Sequence, residues 1–572
     1  MENVADIYPL TPTQQGILYH TIRAPESEVY FEQIRCMLDG PLDVLKMQAA
    51  WDTVVERHPV LRTAFLWEGL DTPLQVVRQT VTIPWDIRDW QTTTETVETQ
   101  LEKLAGDYRQ KGFNLAKAPL LRMVLVKLAD ERHHFIWNFH HLMTDGWSTH
   151  QMFKEAFDVY ESLVRGEQPT LPTIKPFRNY VAWLKKQDNA AAESFWREQL
   201  AGFETPTPLQ VDKRGANTSI SYAEADIHLT TETTAALNAL ARQNRLTLGT
   251  LVQGAWAILL SRYSGEQDVS FGITLSGRPA SLPGVENMVG MFINTLPLRT
   301  PVPDSQPLLP WLEQLQSRQL AVRQYEHTPL SNVQRWSDVP AGQSLFDSIV
   351  VFENYPAPED NGQQSLTIND MRYREQSNYP LALLVVPDEQ MRLLVIYNQN
   401  RFEADTIQRL LGHLTTLLAA IAAQPELTLG ELPLLTDRER IQIFREWNDT
   451  ATSAPLSAGV SLPPETCIHN LIAEYGDTTP DKTAVSAHDG SLTYAELITR
   501  ANQLAHRLIA LGVSPGTPVG LYSERSAEMG VGILGIMQAG GAYVPLDPAY
   551  PPERVAFVLA DTNAPLVVSQ VH

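Results

Sequence analysis

Asn138-Phe139-His140-His141-Leu142-Met143-Thr144-Asp145-Gly146-Trp147-Ser148 is the stretch on which the reading of this chain turns. The residues leading into it put Phe135, Trp137 and Phe139 on one face of a strand, because strand side chains alternate. Ser148 with Gln151 three residues on is a capping-box signature for a helix. Phe153, Ala156, Phe157, Tyr160 and Val164 then form one stripe at helical spacing, and Gly166 stops it. The pattern predicts strand, loop and helix. Two histidines, an aspartate and a glycine, spaced HHxxxDG, sit on the loop, where polar groups can point into a cleft.

Two histidines and a carboxylate raise the question of a metal. Adjacent residues in extended chain point to opposite faces, however, so His140 and His141 do not readily share an ion, and no second pair at ligand spacing supports one. No metal is expected. A buried core histidine is the bland reading for either ring alone. The spacing instead predicts divided roles. One histidine faces the cleft, the other supports the loop, Asp145 forms a structural pair, and Gly146 lets the backbone turn sharply.

At 572 residues the chain is long enough for about three to five domains. A hydrophobic content of 43% with 19% charged residues describes a core-forming globular protein. The net charge of −22 argues against nucleic-acid binding. Cys36 and Cys467, the only two cysteines, form neither a disulfide framework nor a zinc site and fit a reducing cytoplasm. The acidic start Met1-Glu2-Asn3-Val4-Ala5-Asp6 is no signal peptide. The most apolar runs, at 414–423 and 531–537, are shorter than the roughly 18 residues that span a bilayer. A cytoplasmic monomer with no membrane partner is expected.

Along the chain, Thr11 or Thr13 is placed to cap a short helix with Pro12 in its first turn. A helix from about Leu42 carries Val44, Met47, Trp51, Val54 and Val55 on one face, and Pro59 stops it. His58 reads as a helix-end residue complementing the dipole, and Arg62 as a candidate polar group. Residues 177–184 read as an aromatic helix. A second α/β half is expected from about Ser194 to Glu426, with helices at 247–263 and 404–423. Its strands are expected at 269–275, 294–299, 348–352 and 392–397. Two α/β halves predict two lobes with a cleft between them. Arg278 and Arg299 are candidate partners for a carboxylate, Asp145 included. Around 436–466 the apolar pattern lapses into a linker with a short helix. From Cys467 a βαβ alternation predicts a parallel sheet with too few elements for a complete domain, and Gly540-Gly541 is not a phosphate loop.

These motifs together carry a family resemblance. HHLMTDGWS, with YPLTPTQQGILYH, ERHPVLRTAF, VGMFINTLPLR, YEHTPLSNVQRW and LFDSIVVFENYP, strongly resembles a condensation domain of a nonribosomal peptide synthetase over about residues 1–435. LTYAELITRANQLA and MQAGGAYVPLDPAYPPERV resemble the beginning of the adenylation domain that follows in such a module. The resemblance implies an α/β fold of two chloramphenicol-acetyltransferase-like lobes in a V with a central tunnel, here at 1–185 and 186–435. A linker at 436–466 and a partial adenylation subdomain at 467–572 complete the expected organisation.

Function and site follow as implications of that resemblance. Donor and acceptor peptidyl carrier domains present thioesters on phosphopantetheine arms, and the acceptor amine attacks the donor carbonyl. His141 is implied as the catalytic histidine, with His140 and Asp145 largely structural and Gly146 against the reaction centre. Arg62, Arg278, Arg299, Trp147, Ser148 and Asn294 are expected in support. Ser148 and the Gly146 N–H are candidates for contacting the oxyanion. No cofactor is expected on this chain. ATP and magnesium belong to a complete adenylation domain, and this segment, which ends before the phosphate-loop and catalytic-lysine motifs, is expected to be inactive. An epimerisation domain shares HHxxxDG, but the sequence after Gly146 lacks the continuation typical of that branch. An inactive carrier-docking platform is the non-enzymatic alternative. An L-configured donor is expected, since no additional HHxxxxGD segment suggests a dual epimerisation and condensation enzyme.

Overall fold

The computed structural model describes residues 3–24, 27–92, 96–209, 211, 221–353, 365–374, 376, 378–449 and 467–570. The chain divides into two compact units, Met1–Arg445 and Glu446–His572. Most of the expected linker, and the last three residues of the LFDSIVVFENYP motif, lie outside the described residues.

The larger unit is built on two large open sheets and a smaller three-stranded one. The first runs Thr367–Arg374, Phe31–Asp39, Arg132–His140, Leu121–Ala129, Trp85–Asp89, with the last pair parallel and the others antiparallel. Alternation along Arg132–His140 decides what covers it. Phe135 and Trp137 meet Trp51 of the helix Val44–Arg57, with the two indoles 4.8 Å apart, and Phe153 of the helix Gly146–Val164. Ile136, on the other face, packs with Leu101, Leu104 and Ala105 of the helix Val97–Lys111. Burying aromatic rings on one face and aliphatic groups on the other fixes the register, because a one-residue slip would exchange them.

The second sheet runs Asn294–Pro301, Asp268–Leu275, Ser348–Phe352, Leu381–Val386, Arg392–Asn398, Tyr222–His228. Its core is closed by the helices Leu248–Ser264 and Ala404–Ala423. The strand Thr367–Arg374 was not expected from the sequence. It leaves the second half of the chain, joins the first sheet beside Phe31–Asp39, and returns at Leu381 to the second sheet. Its residues are mostly polar and its burial alternates poorly, so backbone pairing holds most of it, while Ile368 and Met371 pack against the core of the first sheet.

In the smaller unit, the strands Ala542–Leu546, Pro518–Tyr522 and Leu566–Ser569 form a parallel sheet. The helices Tyr494–Ala510 and Ala527–Gln538 pack against each other. Thr493 and Glu496 form a capping box on the first of these. No described helix is long and apolar enough to cross a membrane.

Candidate active site

The helix after the histidine loop starts three residues earlier than the sequence pattern suggested. Asp145, not Ser148, is its N-cap. The Ser148 N–H donates to Asp145 Oδ1 at 2.8 Å, satisfying a donor that the first turn leaves open. Gly146 is therefore the first helical residue and makes no left-handed turn. The reversal lies upstream, where Met143 N–H donates to the His140 carbonyl. Gln14 holds this turn from outside. Its amide donates to the Leu142 carbonyl at 2.9 Å while its oxygen accepts from Thr11 N–H in the capping box of the helix Pro12–Arg23.

The two histidines are buried and sit in opposite tautomers. His141 Nδ1 lies 2.7 Å from the Thr144 carbonyl oxygen. A carbonyl only accepts, so Nδ1 carries the proton and, in the neutral ring, Nε2 carries the lone pair. His140 Nδ1 accepts from the Leu142 N–H at 3.1 Å, so its proton is on Nε2. Burial, and then the neighbouring His141, push the His140 pKa down to about 3, and the ring stays neutral at ordinary pH. Backbone bonds fix both residues. His140 N–H donates to the Leu120 carbonyl and His141 N–H to the Tyr30 carbonyl. Among the described residues, no group of three or more histidine, cysteine or acidic side chains is placed to hold a metal ion.

Asp145 ties this loop to residues 277–292 of the second half. Its Oδ2 accepts from Phe292 N–H at 3.0 Å, and its Oδ1 lies 3.3 Å from Arg278 Nη2. Arg278 Nη2 also donates to Ser148 Oγ at 2.8 Å, and Nη1 donates to the carbonyls of Val285 and Met288. The guanidinium lies 4.1 Å from the centroid of the Phe292 ring. Both charges are almost fully out of water, with side-chain exposures of 0% for Asp145 and 7% for Arg278.

Two glycines make the close approach of the chains feasible. A Cβ on Gly277, whose φ is +62°, would lie 1.8 Å from the Phe292 carbonyl oxygen. One on Gly290 would lie 2.1 Å from the Phe177 ring.

The other expected site residues separate into those that join this cluster and those that do not. Trp147 donates from Nε1 to the Glu286 carbonyl and flanks Arg278. Ser148 does not serve an oxyanion. Its hydroxyl donates to the Gly290 carbonyl and accepts from Gly290 N–H and Arg278, which uses its whole capacity. Asn294 pins a neighbouring turn by donating to the carbonyls of Glu326 and Thr328. Arg62 does not reach Asp145. It caps the end of the helix Val44–Arg57, donating to the carbonyls of Val55, Glu56, Arg78 and Gln79. Arg299 is likewise elsewhere, forked onto Asp268 and bonded to the Ala201 carbonyl. His58, at its helix end as read, places Nε2 3.2 Å from both oxygens of Glu155.

Sequence reading missed Gln14, Tyr30, Gly277 and Phe292. The two glycines flanking the 278–289 segment were a usable signal for a close approach. Tyr30 had none.

Residues 4–444 match the family model of the condensation domain, and residues 472–572 match that of the AMP-binding enzyme. The chain belongs to the condensation-domain family of nonribosomal peptide synthetases, followed by the start of an AMP-binding domain. It is 44% identical over 575 residues to a linear gramicidin synthase of Brevibacillus parabrevis, covering all of this chain and 11% of that one. It is 38% identical over 630 residues to chondramide synthase cmdD of Chondromyces crocatus, covering all of this chain and 16% of that one. The chain thus spans about a tenth to a sixth of these relatives. Among solved structures, it matches the crystal structure of holo-AB3403, a four-domain nonribosomal peptide synthetase bound to AMP and glycine. The TM-score is 0.69 and the identity 20%, over 99% of this chain and 44% of that one. The first condensation domain of the calcium-dependent antibiotic synthetase matches with TM-score 0.66 and 20% identity, over 76% of this chain and 100% of that one.

Proposed function

We propose that the larger unit forms a peptide bond between two carrier-bound thioesters. The donor is an acyl, aminoacyl or peptidyl thioester and the acceptor an aminoacyl thioester, each on the phosphopantetheine arm of a carrier domain. The acceptor nitrogen attacks the donor carbonyl carbon, the N–C bond forms, the C–S bond breaks, and the thiol of the donor arm leaves. The product is the extended amide on the acceptor arm.

The observation that carries this reading is the His141 tautomer. With Nδ1–H fixed on the Thr144 carbonyl, Nε2 is the lone-pair atom. It receives the hydrogen bond of the attacking amine and takes its proton as the N–C bond forms. His140 is too deep and too weakly basic for that role. The Gly146 N–H, in the first turn where no helix carbonyl faces it, is the donor we assign to the developing oxyanion. Asp145 and Arg278 act on the frame and not on the reacting atoms. Alignment of two reactive groups supplies the greater part of the acceleration, because an amine and a thioester need little activation.

The test supplies donor- and acceptor-loaded carrier proteins and looks for dipeptidyl product on the acceptor by mass spectrometry. Product is expected. Deuterium entering the α-position without coupling would assign epimerisation instead, and carrier binding without turnover would leave a docking platform.

A further inference from the structure

We infer that Tyr30 is a positioning residue for His141, held in a strained backbone by Gln376 and Asn378 of the crossover between the two sheets. The inference rests on the functional reading above and extends it to residues to which that reading gives no role.

Tyr30 has φ +67°, a left-handed conformation that a bulky aromatic residue adopts only when its surroundings enforce it. Three bonds enforce it here. Its N–H donates to the Gln376 carbonyl at 3.1 Å. Its carbonyl accepts the His141 N–H at 3.0 Å. Its hydroxyl donates to Asn378 Oδ1 at 2.6 Å. The ring itself lies against the imidazole of His141, with centroids 6.1 Å apart and planes tilted by 56°. One residue thus touches the backbone and the ring of the histidine, and two of its three bonds run to the same crossover.

The Asn378 amide is oriented from its other end. Its nitrogen lies 3.3 Å from His20 Nε2. Burial, and then Arg23, lower the His20 pKa, so the ring is neutral and Nε2 accepts from the amide. That leaves the Asn378 oxygen facing Tyr30. The residues involved come from three places: the helix Pro12–Arg23, the start of the strand Phe31–Asp39, and the segment returning from Thr367–Arg374 to Leu381–Val386. Burial raises the Tyr30 phenol well above its ordinary pKa, so the hydroxyl remains a donor across the working range. If the crossover lets go of the Tyr30 hydroxyl, the left-handed turn loses a support and the imidazole loses its place relative to the amine, with no loss of carrier binding.

The test uses the full chain with loaded donor and acceptor carriers. Tyr30→Phe removes the hydroxyl and keeps the ring. Asn378→Ala removes the acceptor and leaves Tyr30 whole. Each is expected to lower kcat about tenfold, as a misplacement of well under 1 Å does, with KM for both carriers within about twofold of wild type. The double variant is expected to be no slower than the slower single variant, because both remove one bond. Wild-type kcat in Tyr30→Phe, a loss confined to KM, or multiplied losses in the double variant would overturn the inference. His141→Ala is run alongside. If it is inactive while Tyr30→Phe is fully active, only the positioning role fails. If it is fully active, the reading of His141 fails too.

Discussion

Replacing Arg278 by methionine tests how much of the site depends on one buried cation. The aliphatic stem is approximated, but the guanidinium is lost. Four hydrogen bonds go with it, to Asp145 Oδ1, Ser148 Oγ and the carbonyls of Val285 and Met288. So does its contact with the Phe292 ring. Asp145 keeps its two N–H donors but remains a carboxylate with no exposed side-chain surface and no counter-charge. Removing one partner of such a pair costs about 3–5 kcal/mol, most of it the stranded charge and not the lost contact. Unfolding in urea measures the change, and tryptophan fluorescence reports it cleanly. Of the 12 tryptophans only Trp447 lies in the smaller unit, so the signal belongs to the larger one. The expected result is a lower midpoint at unchanged slope. Asp145→Asn should cost a comparable amount, because it leaves Arg278 unpaired and turns one amide donor toward an N–H. The double variant should cost less than the sum by more than about 1 kcal/mol. An Arg278→Met protein within about 1 kcal/mol of wild type would refute the reasoning.

Arg299→Ala is the matched contrast. Its partner Asp268 is half in water, so the loss should be about 1 kcal/mol or less in the same melts, with the coupling rate unchanged. Gly277→Ala should cost more than about 2 kcal/mol, because the new Cβ meets the Phe292 backbone and the φ of +62° disfavours any side chain. His140 sets a pH dependence. Its folded pKa of about 3 lies below the unfolded value, so the unfolded chain binds the extra proton. Its contribution is complete above about pH 6.5 and is lost as pH falls toward 3, at up to about 1.4 kcal/mol per pH unit. Urea midpoints of His140→Asn against wild type should show a shallower fall across that window, the asparagine oxygen taking over the Leu142 N–H.

Much of this architecture is legible in the sequence, for identifiable reasons. The helix Ala404–Ala423 lies where its unbroken apolar stripe places it. Thr11, one of the two threonines placed to cap the first helix, does cap it, because capping is a local exchange of bonds. The strand Thr367–Arg374 escapes the same reading because it binds by backbone to a partner more than 300 residues away. Asp145 shows a subtler limit. Ser148–Gln151 satisfies the local rule, but Asp145 caps the helix better while also reaching Phe292 N–H and Arg278 across the chain. Of the three arginines expected to support the site, only Arg278 reaches Asp145, because Arg62 and Arg299 have nearer acceptors. Tyr30 is invisible at the sequence level, since nothing local signals a left-handed aromatic.

The most direct measurement is the single-turnover rate of peptide-bond formation between loaded carriers for wild type and His141→Ala. Loss of a positioned base and hydrogen-bond acceptor is expected to slow the step by about 10²–10⁴-fold. The urea midpoint should fall by no more than about 1–3 kcal/mol of stability, because alanine gives up the Nδ1–H bond to the Thr144 carbonyl but keeps the His141 N–H bond to the Tyr30 carbonyl. Coupling at the wild-type rate by His141→Ala would contradict the assignment of His141 as the residue that takes the amine proton.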